Sequence, residues 1–107
     1  MDEEFQKRVQ NLQALEQDFQ QIMLQKQNFQ LELNEIKTAL EEVTKTKEDV
    51  FRVLGQVMIK ADVKVLKKEL EEKKDILEKR TKAFEQQETS LREHIERIRN
   101  EVISNMK

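Results

Sequence analysis

The 107-residue sequence lacks cysteine and proline, and Gly55 is its only glycine. Without cysteine the chain can form no disulfide framework, thiolate nucleophile or cysteine-based metal site. Disordered chains are rich in proline and glycine and show no apolar periodicity. Since this chain has almost none of these residues and a strong apolar period, its composition indicates long helices.

Apolar residues are also scarce, and no apolar run approaches the roughly 18 residues of a transmembrane span. Hydrophobic residues make up 36% and charged residues 39%, against about 45–50% and 25% in ordinary globular domains. This apolar content is too low for a conventional core, so the helices must pair along a narrow apolar seam. The acidic start, MDEEFQKRVQ, lacks the apolar stretch of a signal peptide. We therefore expect a cytoplasmic protein with no membrane partner.

The net charge of −2, with basic and acidic residues interspersed, argues against nucleic acid as the main partner. Phosphate binding needs a concentrated basic surface. The segment from Lys60 to Lys82 is locally basic, and an RNA-binding arm is one alternative. Acidic residues are interleaved there at spacings that allow pairs within a helix. A solvated face is therefore the preferred interpretation.

A first helix is predicted over about residues 3–44, because apolar residues recur there in steps of four and three. Lys26 falls on this seam where an apolar residue is expected. The apolar positions are Phe5, Val9, Leu12, Leu15, Phe19, Ile22, Phe29, Leu33, Ile36, Leu40 and Val43.

A second helix is predicted over about residues 63–105, with Asp62 as its N-cap. Lys73, Arg80 and Gln87 are expected to fill polar sites on its seam, with long stems covering apolar partners. The apolar seam positions are Leu66, Leu70, Leu77, Phe84, Leu91, Ile95, Ile98 and Val102.

Two helices of similar length with a compact connection should fold back as an antiparallel hairpin. This brings the two ends of the chain together. The apolar residues gathered there are either simply seam or partly a binding surface. We call them the helix-end cluster: Phe5, Val9, Leu12, Ile98, Val102, Ile103 and Met106.

Between the helices lies VFRVLGQVMIKAD, residues 50–62, which reads as a β-hairpin over about residues 50–61. Gly55-Gln56 suits a type II′ turn, with Leu54 opposite Val57. Both hairpin faces are largely apolar, and two strands alone are marginal in water. The hairpin therefore needs neighbouring chains and is interpreted as an oligomerisation device. Its predicted assembly residues are Val50, Phe51, Val53, Leu54, Gly55, Val57, Met58 and Ile59.

The central pattern resembles that of a β-class prefoldin subunit: Val50, Phe51 and Arg52, then Gly55, then an apolar run ending at Lys60. QLELNEIKTALEEV in the first helix and LEKRTKAFEQQETSL in the second are also similar to that family. The resemblance implies a mainly α fold, an antiparallel coiled-coil hairpin with a small β-hairpin at the bend. It also implies one domain over residues 1–107 and assembly into a β-barrel-based oligomer.

The resemblance further implies an ATP-independent holdase chaperone without metal or cofactor. Two α-class and four β-class subunits would form a hexamer, although copies of this chain alone are also possible partners. The helix-end cluster would grip unfolded client proteins and pass them to a group II chaperonin. The cluster is assigned by its position at the helix ends.

A structural coiled-coil tether is the main alternative, although a tether seldom carries an apolar hairpin with open edges. An enzyme is not expected, because the sequence has no phosphate-binding loop, no nucleophile paired with a base and no metal-ligand spacing. The single histidine, His94, is expected to be a solvated surface residue.

Overall fold

The computed structural model describes residues 2–106, and the elements follow the order helix, strand, strand, helix. Helix α1 spans Glu3–Lys45, strand β1 spans Val50–Leu54, strand β2 spans Val57–Ala61, and helix α2 spans Val63–Met106. These are the elements predicted from the sequence, and each helix ends one residue beyond its predicted end. Neither helix within residues 2–106 has an apolar stretch of the length and hydropathy that crossing a membrane requires.

Both helices begin at an aspartate that caps the free N–H groups of the first turn. The Phe5 backbone N–H donates to Asp2 Oδ1 at 2.8 Å. The Lys64 and Val65 backbone N–H groups donate to Asp62 Oδ1 at 2.9 and 3.3 Å. The predicted N-cap role of Asp62 is therefore confirmed.

The strands form a two-stranded antiparallel sheet in the predicted register. Leu54 pairs with Val57 across the turn, and Val50 pairs with Ala61 at the other end. Gly55 has φ of +62°, and Gln56 has no positive φ. A positive φ at the first central position only is the signature of the predicted type II′ turn.

The chain packs as two compact units. The helix-end unit combines the described residues of Met1–Asn28 and Thr81–Lys107, which are the first part of α1 and the last part of α2. The hairpin unit is Phe29–Arg80 and contains the remaining parts of both helices and the sheet.

Within each unit the helices run antiparallel and bury a narrow seam. In the helix-end unit, Glu16 pairs with Arg99 and Lys26 with Glu88, so later positions on α1 meet earlier positions on α2. The buried residues of this unit are Thr81, Glu88, Ile95, Ile98 and Val102. In the hairpin unit they are Leu33, Val43 and Leu77.

The predicted polar seam sites on α2 are wrong by one residue. Lys73, Arg80 and Gln87 are exposed, whereas Lys74 is half-buried and Thr81 and Glu88 are buried. Alternating steps of four and three, counted back from the apolar end of α2, lead to 88, 81 and 74. A shift of one residue turns a side chain by about 100° around the helix axis, so the predicted three lie beside the seam.

Candidate functional site

The β-hairpin presents apolar side chains to solvent on both faces. On one face Phe51, Val53 and Met58 are exposed, and on the other Leu54, Val57 and Ile59 are exposed. Isolated exposed apolar residues are common, whereas a contiguous apolar surface on a two-stranded sheet makes the hairpin a candidate interaction site. The two outer strand edges also carry backbone groups available for pairing with another strand.

The side of the hairpin toward the helices is better covered. Val50, Arg52 and Ala61 lie on one face and are half-buried. The Arg52 guanidinium donates a hydrogen bond to Glu69 Oε2 on α2. On the opposite face Lys60 pairs with Asp49 at 3.5 Å. Each cross-strand charge therefore has a carboxylate partner, which leaves the apolar side chains near the turn as the free surface.

The exposed apolar surface continues onto the start of α2. Val63 and Val65 are both exposed in the first turn of the helix. The sequence interpretation confined the predicted assembly surface to the strands, so these two exposed residues lie next to that surface but outside it.

The structure brings the start of α1 beside the end of α2. The residues of the helix-end cluster in this region differ in burial. Ile98 and Val102 are buried. Phe5, Val9 and Leu12 on α1 are half-buried. Phe5 lines one cavity with Asn105, so the start of α1 lies beside the end of α2.

Only two members of the helix-end cluster are well exposed. Ile103 is 46% and Met106 is 66% exposed. The structure therefore divides the cluster into a buried seam and an outer apolar part at the end of α2. This division follows from helical spacing, since Ile103 lies one residue beyond the seam position Val102.

A buried charged group lies farther along the same unit. Glu88 accepts hydrogen bonds from Lys26 Nζ at 2.8 Å and from Arg92 Nη2 at 2.7 Å. The Lys26 hydrogen bond is the main cause that lowers the pKa of the Glu88 carboxyl, with both positive charges adding to it. Burial of Glu88 acts in the opposite direction and only reduces this effect.

The sequence interpretation placed Lys26 on the seam of α1, but on α2 it placed Gln87 on the seam instead of the adjacent Glu88. Arg92 also stacks over the Phe19 ring, with its guanidinium carbon 5.6 Å from the ring centre. In the hairpin unit Arg80 lies over Phe29 at 5.7 Å. Arg80 is thus off the seam, but its guanidinium still lies over an apolar ring. A long side chain can reach a seam residue in this way from a position beside the seam.

Comparison with known proteins identifies the fold and the family. A family model described as prefoldin subunit matches residues 6–107. The chain belongs to the prefoldin family. The crystal structure of the prefoldin beta subunit from Thermococcus strain KS-1 is similar, with 30% identity and a TM-score of 0.89. That match covers 99% of this chain and 95% of the other.

A second solved structure agrees with this fold. The prefoldin beta2 subunit from Thermococcus strain KS-1 has a TM-score of 0.73 at 15% identity, covering 83% of this chain and 97% of that one. No significant match was found among curated protein sequences.

The family match and the beta-subunit match confirm the predicted β-class prefoldin fold. Prefoldin subunits are chaperone-type subunits that assemble with other prefoldin subunits, and the family is not an enzyme family.

Proposed function

We propose that this prefoldin subunit acts in the cytoplasm as part of an ATP-independent holdase that captures unfolded proteins and delivers them to a group II chaperonin. The hairpins of this chain and of α-class partners, or of copies of itself, would join into a β-barrel base. A hexamer with two α-class and four β-class subunits is the expected assembly. The helix-end cluster would provide the client contacts.

The observation that carries the client-binding proposal is the exposure of Ile103 and Met106 beside a buried apolar seam. Helix ends tend to fray, and apolar side chains placed there form an adaptable surface. Unfolded clients share exposed apolar segments and little else, so an adaptable surface suits them better than a rigid pocket. Phe5, Val9 and Leu12 become available when the ends open.

The buried members of the cluster are less suitable for a first test. Ile98 and Val102 hold the seam together. A polar substitution there would lower stability as well as client binding. Substitutions at Ile103 and Met106 separate client binding from stability, because neither side chain is needed to fill the seam.

The test is suppression of aggregation when a chemically unfolded protein is diluted from guanidinium in the presence of the subunit. Ile103→Ser with Met106→Ser should weaken client capture by roughly 1–2 kcal/mol per helix pair, because two partly buried apolar contacts are lost. Oligomer mass and thermal midpoint should stay the same. Addition of ATP should have no effect.

Ile76→Ser is the matched control, since Ile76 is 51% exposed on α2 but belongs to the hairpin unit. Its capture of client should equal that of the parent. Equal capture by the Ile103 and Met106 double variant would contradict the assignment of the helix ends as the client-binding surface.

A further inference from the structure

The charged group formed by Lys26, Glu88 and Arg92 lies on the seam of the helix-end unit. The Lys26 side chain is 18% exposed and that of Glu88 is 10% exposed. Both are therefore largely removed from water. The other seam residues near this group are mainly apolar, such as Phe19 on α1 and Ile95 on α2.

Stability alone does not explain an ion pair at such a position. Removing two charges from water is costly, and replacing a buried pair with apolar residues is often neutral or stabilising. A polar residue at a single core position of a coiled coil has a better-attested role, which is to fix the register of the helices. The pairing of Lys26 with Glu88 has the geometry for this role.

The alternative registers show why. The apolar seam repeats every seven residues, so sliding one helix by a heptad, about 10 Å, would restore most apolar contacts. In one direction the slide brings Glu88 level with Phe19. In the other it brings Lys26 level with Ile95. Either slide leaves a buried charge against an apolar side chain, which the native register avoids.

We propose that Lys26 and Glu88 are positioning residues that select the register in which the two helix ends meet. The functional consequence rests on the proposed role of these ends in client capture. In the native register Phe5 lies beside Asn105, so the apolar residues of both helices share one end. The slide that brings Lys26 level with Ile95 would move Met106 about 10 Å farther from Phe5 along the helices and so divide the client-binding surface.

The register can be measured with engineered cysteines, because the chain has none of its own. Glu16 and Arg99 are in contact, with Oε1 and Nη2 3.1 Å apart. Val9 and Met23 lie seven residues to either side of Glu16 on the same face of α1. With Arg99→Cys as the common partner, Glu16→Cys reports the native register. Val9→Cys and Met23→Cys report the two one-heptad slides.

The decisive variant combines Lys26→Leu with Glu88→Leu in each cysteine background. We expect a thermal midpoint equal to or above that of the parent, because the seam becomes apolar. We also expect at least a several-fold rise in cross-linking of Val9→Cys or Met23→Cys with Arg99→Cys. Client capture should weaken where the register moves to the one that Met23→Cys reports. If the pair served only to stabilise the fold, replacing it would not keep the thermal midpoint while shifting the register.

A charge-reversed variant tests rescue. Lys26→Glu, Glu88→Lys and Arg92→Glu together keep both ion pairs with opposite sign, while the contact of Arg92 with the Phe19 ring is lost. Cross-linking should then return to Glu16→Cys with Arg99→Cys alone, and client capture should recover.

Cross-linking of the apolar variant confined to the native pair would overturn the register assignment. Undiminished capture in the shifted register that Met23→Cys reports would overturn its link to the client-binding surface. Failure of the parent to capture any client would count against the proposed function only, since cross-linking reports the register without a client.

Discussion

Gly55 and Glu88 are the two residues for which the structure most strongly restricts the residue type. Gly55 has φ of +62°, a conformation that residues with a Cβ adopt at a cost. A Cβ added there would meet no atom within 4 Å. The requirement for glycine is therefore one of backbone conformation and not of space.

Gly55→Ala should therefore destabilise the protein by about 1–2 kcal/mol, through strain in the turn. Gly55→Asn should cost less, because asparagine tolerates positive φ better. The thermal midpoint measures this at fixed chain concentration, since assembly makes it concentration-dependent. Equal loss in both variants would indicate a different cause, such as altered contact between subunits.

The Glu88 carboxyl leads to a prediction about the stability of the protein at acidic pH. Its pKa is lowered in the folded protein, chiefly by the Lys26 hydrogen bond. The folded state thus favours the carboxylate, and this contribution is fully present above the ordinary glutamate pKa of about 4.3. It is lost as the pH falls through the lowered folded-state pKa.

Glu88→Gln should therefore lower stability at pH 7 by roughly 1–3 kcal/mol, since a charged hydrogen bond becomes neutral. The difference between parent and variant should shrink as the pH falls below about 4. Thermal unfolding of both proteins across this range measures it. A difference that stays constant from pH 7 to the acid range would contradict an ionised Glu88 in the folded state.

Sequence reasoning identified Gly55 and Asp62 because each acts through a local rule, a turn or a cap. Glu88 was missed because its role depends on which of two neighbouring residues faces the other helix. Gln87 and Glu88 are equally polar, so local chemistry does not choose between them. The choice comes from the seam as a whole, counted from its most apolar part at Ile95 and Val102.

Among the elements, the β-hairpin departs most from what a single chain can stabilise. Its strands, turn and register were predictable because runs of β-branched and aromatic residues flank the single glycine. The half-buried side near Arg52 was not predictable, because it depends on Glu69 in the second turn of α2. What remains exposed is the apolar surface near the turn, which assembly with other prefoldin subunits would cover.

A charge placed on that surface should prevent assembly. Ile59 is 50% exposed in the single chain, so Ile59→Lys should leave the subunit helical and folded. Burying the ammonium group between subunits would be strongly unfavourable. We expect mainly monomers by light scattering and an unchanged helical circular dichroism signal.

Ile76→Lys is the matched control, with the same substitution at a residue of similar exposure outside the hairpin. It should assemble like the parent. An Ile59→Lys variant with the oligomer mass of the parent would show that the hairpin surface is not the assembly surface.

For the whole molecule, the proposed function joins assembly through the hairpin to capture through the helix ends. At its helix ends a single helix pair exposes Ile103 and Met106 beside its seam, and ordering an unfolded client offsets much of that contact. Several pairs held in one assembly act at a high effective concentration on the same client. Weak contacts then give useful affinity, and capture should be only mildly weakened by salt because the contacts are apolar.

The most direct test of this account compares client capture by the Ile59→Lys monomer and the assembled parent at equal chain concentration. Both carry the same helix-end cluster, so only the number of linked copies differs. Suppression of aggregation of a guanidinium-unfolded client, followed by light scattering, is the measurement. We expect the monomer to lose most of its capture while the assembled Ile76→Lys control retains it. Capture by the monomer equal to that of the parent would show that linking several helix pairs is not what makes capture effective.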